Sequence, residues 1–271
     1  MGRDAMAEDT EVLVAAVRAS AKYAHVTPDL IRHIGTRELA KGRRLKEATK
    51  ATKDRLHQVG GAYLAKADYG GWLALLEQAV QAGNAAALQR ACARIMGHHA
   101  STRERLPILE SYYAITLHDL PPIRSVLDVA CGLNPLAIPW MPLAAGAQYH
   151  ACDIYEDMVA FIGRSLALLG VPGSAEACDV LQRVPGRHFH LALLLKSLPC
   201  LEQIDREATV RLLDAIDADH LLVSFPVRSL GGRDVGMLAQ YEARFRALAE
   251  ARQWSVERFA FESELAFLVD K

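Results

Sequence analysis

The chain lacks any long apolar run. Nowhere in its 271 residues does it approach the roughly 18 consecutive apolar residues of a membrane span, so no membrane partner is expected. Its first residues, Met1-Gly2-Arg3-Asp4-Ala5-Met6-Ala7-Glu8, lack the apolar centre of a secretory signal, and a cytoplasmic location is expected. Cysteine is scarce: Cys92, Cys131, Cys152, Cys178 and Cys200 are odd in number, widely spaced and form no Cys-x-x-Cys pair. That argues against a disulfide framework and against zinc, so no metal is expected. Net charge is nearly absent as well, at -1. What the chain does have is 51% hydrophobic residues, enough for a full core in one or two domains.

The near-zero charge hides an uneven distribution. From Arg32 to Arg55 there are nine Lys or Arg against three acids, a balance of +6, leaving -7 on the remainder. Such a basic segment is either a solvated helix face or a surface made for an anion. Up to about Leu120 apolar residues recur three and four apart, as in Leu73, Leu76, Val80, Ala87, Leu88 and Ala91, which reads as helical. Thr27-Pro28 is a helix start, and the pairs Gly60-Gly61 and Gly70-Gly71 punctuate the run.

Beyond Arg124 short apolar runs alternate with helical stretches. Strands are expected at 125–130, 148–153, 175–180, 190–195 and 220–225, and helices near 157–169, 202–216 and 235–252, with a closing hairpin over 258–261 and 264–269. This is the β-α-β alternation of an open, mostly parallel sheet. Two units follow: a helical domain over 1–115 and an α/β domain over 116–271.

The first strand ends in Asp128-Val129-Ala130-Cys131-Gly132-Leu133-Asn134-Pro135-Leu136. A glycine-rich nucleotide loop would place glycines at 130, 132 and 134, and only Gly132 is present. Alanine still permits close approach, and asparagine tolerates a left-handed turn. The second strand ends in Asp153, 25 residues after Asp128, where a carboxylate can accept both ribose hydroxyls. The third ends in Cys178-Asp179-Val180, where an acid can accept the adenine amino group. Three carboxylates at equivalent strand ends favour adenosine, and without phosphate-binding glycines they favour the sulfonium of S-adenosylmethionine over a pyrophosphate ligand.

Four segments together resemble the 16S rRNA guanine-N7 methyltransferases of the aminoglycoside-resistance type, which act on guanine(1405) of the decoding site. They are His-Ala-Ser-Thr-Arg-Glu-Arg-Leu at 99–106, the loop at 128–136, Leu-Leu-Leu-Lys-Ser-Leu-Pro-Cys-Leu-Glu at 193–202, and Ser-Phe-Pro-Val-Arg-Ser-Leu-Gly-Gly-Arg at 224–233. The resemblance spans about Ser20 to Leu265. It departs at Glu262-Ser263-Glu264-Leu265-Ala266-Phe267, where the family tends to carry Gly-Asn/Thr-Glu-Leu-Ile-Tyr, and at Leu238.

The resemblance implies a class I methyltransferase fold, a Rossmann-like and mostly parallel seven-stranded sheet, carrying a helical docking domain. It implies S-adenosylmethionine held by Tyr63, His99, Ala100, Ser101, Arg105, Ala130, Asp153, Asp179, Val180 and Leu195, with Gly132 in the loop. Arg105 would grip the methionine carboxylate, the plainer alternative being a structural salt bridge. Lys196 and Arg228 would place the guanine, which needs no general base because N7 carries no proton. Phe225 or Pro226 would stack on the base, Arg233 would hold a flanking phosphate, and Arg32, Arg43, Arg44, Lys46, Lys50 and Lys53 would dock 16S rRNA in the assembled 30S subunit. A monomer is expected. The rival readings are an adenine-N1 methyltransferase of the same site, a small-molecule methyltransferase, and an RNA-binding protein that has lost methyl transfer.

Overall fold

The structure, a computed structural model, describes residues 3–61, 67–227 and 237–271. Seven helices come first: α1 Arg3–Arg18, α2 Pro28–Ala40, α3 Leu45–Leu56, α4 Tyr69–Gln81, α5 Ala85–Met96, α6 Ala100–Arg105 and α7 Leu109–Thr116. The sheet region follows as β1 Ile123–Val129, β2 Leu143–Asp153, α8 Glu156–Leu168, β3 Gly173–Ala177, β4 Phe189–Leu195, α9 Leu198–Ile204, α10 Arg206–Ala215, β5 Ala218–Pro226, α11 Met237–Glu250, β6 Ser255–Ala260 and β7 Glu264–Asp270.

The seven strands lie in the order β3-β2-β1-β4-β5-β7-β6. β1 to β5 are mutually parallel, and β7 runs antiparallel to both β5 and β6. The order reverses between β1 and β4, so their carboxyl ends open the crevice where ligands of such sheets bind. Alternate residues of the central strands enter different cores, as a pleat requires. Val126, Leu191, Leu193 and Leu222 pack with α4, α5, α7 and α8. Leu127, Ala192, Leu194 and Val223 pack with α9, α10 and α11.

The apolar clusters do not divide at residue 115. Helices α4, α5 and α7 share one cluster with the sheet, whereas α1 to α3 build their own around Leu13, Val17, Leu30, Ile31 and Leu56. The latter three-helix unit is clasped to the sheet through its 25–27 segment. Thr27 N donates to Ile154 O at 2.8 Å and Glu156 N to His25 O at 2.7 Å, and Arg18 pairs with Glu156 at 2.7 Å.

Several local expectations shift. α2 begins at Pro28 as expected, but the Thr27 side chain makes no capping bond. The stretch expected as one helix over 202–216 breaks at Asp205, whose φ of -155° leaves the helical region and whose carboxylate caps α10 through Ala208 N. Asp is a strong N-cap, and here it restarts the helix. β3 ends at Ala177, so Asp179 lies in the following loop. After β1 the chain enters a 3-10 helix over Asn134–Trp140.

Candidate active site

A cleft of about 690 Å³, counted to its open mouth, lies at the carboxyl ends of β1, β2 and β4. His99 and Ser101 enter it from the start of α6, Ala130 from the end of β1, Asp153 from β2, and Leu195 and Lys196 from β4. The opposite wall comes from the three-helix unit: Leu30 of α2, with Val59 and Gly60 of the turn after α3. The backbone is bent hard at both central strand ends, since Ala130 has φ 52° and Lys196 φ 58°. Left-handed conformations are costly for residues with a Cβ and gather where a site needs them.

The loop after β1 works differently from the sequence expectation. Ala130, not Asn134, takes the left-handed turn. Asn134 is instead a buried polar junction. Its Nδ2 donates to Asp128 Oδ2 at 2.9 Å, and its Oδ1 accepts from Tyr113 Oη at 2.6 Å and Arg105 Nη1 at 2.9 Å. Tyr149 Oη donates to the same Asp128 oxygen at 2.6 Å. Asp128 is therefore an anchor of the loop and, unlike Asp153, does not line the cleft, a correction to the grouping of these two carboxylates. Burial, opposed by these hydrogen bonds, lifts its pKa to about 6. Gly132 is needed for contact as well as for its φ of 52°: a Cβ there would stand 2.8 Å from His99 Cε1.

Asp153 fits the ribose expectation in position. Its oxygens accept from Gly132 N at 2.8 Å and Ile154 N at 2.6 Å, so the carboxylate is fixed while it borders the cleft. Burial raises its pKa, and the backbone N–H groups of Gly132, Ile154 and Tyr155 pull it back. Asp179 does not line the cleft. His33 Nδ1 of α2 lies 2.6 Å from its Oδ2, and Leu181 N donates to its Oδ1 at 3.0 Å.

Ala100, Gly132, Val180 and Arg105 are also absent from the cleft lining, as Ala100 and Val180 point into buried surroundings. His99 keeps some open surface with its Nδ1 3.0 Å from Ser101 Oγ. Burial, then the charges of Arg105 and Arg103, lower its pKa to about 4. Ser197 Oγ, in the cleft wall, is buried with no hydrogen-bond partner among the described residues. An orphaned hydroxyl beside a fixed carboxylate in a mostly apolar wall suits an adenosyl ligand.

Arg105 is fully buried. Its Nε and Nη2 reach Glu264 of β7 at 3.0 and 2.8 Å, and its guanidinium lies 5.1 Å from the Tyr112 ring centre. The structural salt bridge weighed in the sequence is thus present, with a strand glutamate as the partner. Burial pushes the Glu264 carboxyl upward, but Arg105 and Lys196 outweigh it and hold the group below its usual range. Lys196 lies between two carboxylates, with Glu104 Oε2 at 2.9 Å and Glu264 Oε2 at 3.4 Å. Ser224 Oγ donates to Glu264 at 2.5 Å. The sequence reading missed this chain from Asp128 to Glu104, although Glu104 and Arg105 stand inside a quoted motif.

Phe225 corrects another expectation. It is 4% exposed, stacked on Tyr241 at 5.1 Å and packed against Phe245 and Phe267, so its ring is core and no platform for a base. Pro226 closes β5 and is partly exposed. Tyr63, Arg228 and Arg233 lie outside the described residues. Of the basic residues, Arg32 is paired with Glu11 and Asp29, Arg43 with Glu38, and Lys53 with Ser20. Arg44, Lys46 and Lys50 are exposed, with no salt bridge among the described residues.

A family model described as ribosomal RNA methyltransferase (FmrO) matches residues 19–268. A 16S rRNA (guanine(1405)-N(7))-methyltransferase of Frankia casuarinae is 40% identical over 257 residues, 93% of this chain and 90% of that protein. Proteins of the same name from Micromonospora echinospora and Serratia marcescens are 35% and 33% identical, each over 94% of this chain and over 94% and 96% of their own lengths. Among solved structures, 16S rRNA methyltransferase RmtF in complex with S-adenosyl-L-homocysteine superposes with a TM-score of 0.81 at 32% identity, covering 97% of this chain and 98% of that one. The 16S rRNA methylase RmtB gives 0.77 at 28% identity, with 97% and 98% covered.

Proposed function

The chain belongs to the FmrO family of ribosomal RNA methyltransferases, and from that premise we propose that it is a 16S rRNA (guanine(1405)-N(7))-methyltransferase dependent on S-adenosylmethionine. When bound, S-adenosylmethionine supplies a methyl group activated by its sulfonium. The observation that carries the reading is the cleft at the β1/β4 switch point, where His99, Ser101, Ala130, Asp153 and Leu195 meet beside Lys196.

We assign the ribose to Asp153 and the adenosyl walls to Ala130, Leu195 and Leu30. His99 and Ser101 bound the same cleft, and Ala100, Gly132 and Val180 shape its loops from behind. Asp179 would reach the adenine amino group once it shares its oxygens with His33. Arg105, held by Glu264 and Asn134, has two further N–H groups to offer the methionine carboxylate. Tyr63 is assigned to the cofactor by resemblance.

Guanine N7 needs no proton removed, so placement is the catalytic task. Lys196 is suited to hold guanine O6, with Arg228, Arg233 and Pro226 from the loop that follows β5 gripping the base and its flanking phosphate. The region before β1, residues 1–115, docks the enzyme, as a monomer in the cytoplasm, on 16S rRNA of the assembled 30S subunit, and residues 116–271 transfer the methyl group in a cleft to which Leu30, Val59, His99 and Ser101 of the first region also contribute. Helix α3, which carries Lys46 and Lys50, runs directly into the turn that supplies Val59 and Gly60 to the cleft wall, so docking and the cofactor site are physically adjacent.

A methyl group and a fixed positive charge at N7 would repel cationic drugs of the kanamycin and gentamicin type from the guanine edge. The test is methyl incorporation from labelled S-adenosylmethionine into 30S subunits, naked 16S rRNA and 50S subunits. Label confined to 30S supports the reading. Turnover only on free small molecules would replace it.

A further inference from the structure

Helix α6 carries Arg103, Glu104 and Arg105 in succession, one acid between two bases. Arg105 is turned inward onto Glu264. Lys196, 6% exposed and part of the cleft lining, adds a second cation to the corner around Glu264. Glu264 is already the close partner of Arg105 through two nitrogens, and it stands farther from Lys196, at 3.4 Å, than Glu104 does at 2.9 Å. Glu104 is thus the main counter-charge of Lys196. Unlike Glu264, whose side chain is fully buried, the Glu104 side chain is 37% exposed, so its own charge can be removed without leaving a buried carboxyl position unfilled, and the charge left uncompensated is that of Lys196.

We propose that Glu104 is the charge-balancing residue of the cofactor cleft: by neutralising Lys196 it lets the cleft accept the cationic sulfonium of S-adenosylmethionine in preference to the neutral thioether of S-adenosylhomocysteine. The inference rests on the cofactor reading above. Without Glu104, one carboxylate serves both Arg105 and Lys196, and the corner carries an uncompensated positive charge. A second cation entering the cleft is then repelled, while an uncharged ligand of the same shape is not. Glu104 acts through Lys196 and is a positioning residue. Its effect falls on the choice between the charged substrate and its uncharged product, and so also on how readily the product leaves the enzyme to a new substrate molecule.

The test is calorimetric titration of the full chain with S-adenosylmethionine and with S-adenosylhomocysteine. Glu104→Gln keeps the shape and removes the charge. It should weaken S-adenosylmethionine about tenfold relative to S-adenosylhomocysteine, and Glu104→Asp should restore most of the wild-type ratio. The double variant Glu104→Gln, Lys196→Met removes both charges and should also bring the ratio back. Equal weakening of both ligands would mean that Glu104 is only structural, and an unchanged ratio would likewise overturn the proposal. If the wild-type chain binds neither ligand, the cofactor reading itself fails and the inference falls with it.

Discussion

Arg105 and Glu264, 159 positions apart in the chain, meet as a fully buried pair with Nη2 2.8 Å from Oε1, and no more than 1% of either side chain is exposed. The pair fastens α6, whose N-terminal end supplies His99 and Ser101 to the cleft, to β7 of the sheet. Removing one member of such a pair strands the other in the interior and costs about 3–5 kcal/mol, whereas replacing both by apolar groups costs far less. Glu264→Ala should therefore lower the urea midpoint strongly. Arg105→Met combined with Glu264→Leu should recover much of the loss. A small effect of Glu264→Ala alone would contradict the structural role.

Ala130 holds a left-handed φ of 52° at the end of β1. A β-branched residue fits that conformation badly, so Ala130→Val should cost about 2 kcal/mol of stability and weaken cofactor binding. Ala130→Gly, which restores the commoner loop residue, should be neutral or stabilising by up to about 1 kcal/mol. Denaturant unfolding of the two variants side by side checks the conformation directly.

The exposed cations Arg44 and Lys46, with Arg43, lie just before and at the start of α3. Reversing all three to Glu should weaken binding to 30S subunits. It should also flatten the log-log salt dependence by about 0.7–0.9 for each phosphate that the variant no longer neutralises. Unchanged binding at all salt concentrations would remove this face from the docking surface.

His99 is held neutral by burial and by two neighbouring guanidinium groups, with a pKa near 4 in place of the usual 6.5. Between those values the unfolded chain takes up the proton and the native state resists it, so stability falls as the pH is lowered through that window. The loss is at most about 3 kcal/mol. Asp128, with its pKa raised to about 6, acts in the opposite direction over part of the same range. The His99 contribution is thus read as wild type minus His99→Gln. That difference should shrink from pH 7 to pH 4, and a flat difference would contradict the assignment.

The architecture was legible because strand alternation and helical spacing are local signals. β1, β4 and β5 fall within two residues of expectation at each end. β2 begins five residues earlier than expected, at Leu143, because the small residues Ala144, Ala145 and Gly146 give little apolar signal and lie where the register against β1 shifts, between the pairs Ile123–Leu143 and Ser125–Gln148. The break at Asp205 was written in its residue type but masked by the apolar periodicity on both sides. Asp153 was legible from its position at a strand end. Asp128 was not, since only the tertiary placement of Tyr149 and Asn134 turns its carboxylate inward. Phe225 read as a base platform for want of knowing that Tyr241 and Phe267 close over it. The wall contributed by Leu30 and Val59 had no signal, because it depends on how the three-helix unit is clasped to the sheet.

The central claim is methyl transfer to N7 of one guanine, and borohydride reduction followed by aniline scission of 16S rRNA from treated 30S subunits tests it most directly, because only an N7-methylated guanine opens to strand cleavage. A single break at guanine(1405), the position named for the relatives, is the predicted result. Incorporated label without strand scission would point to adenine N1 and contradict it.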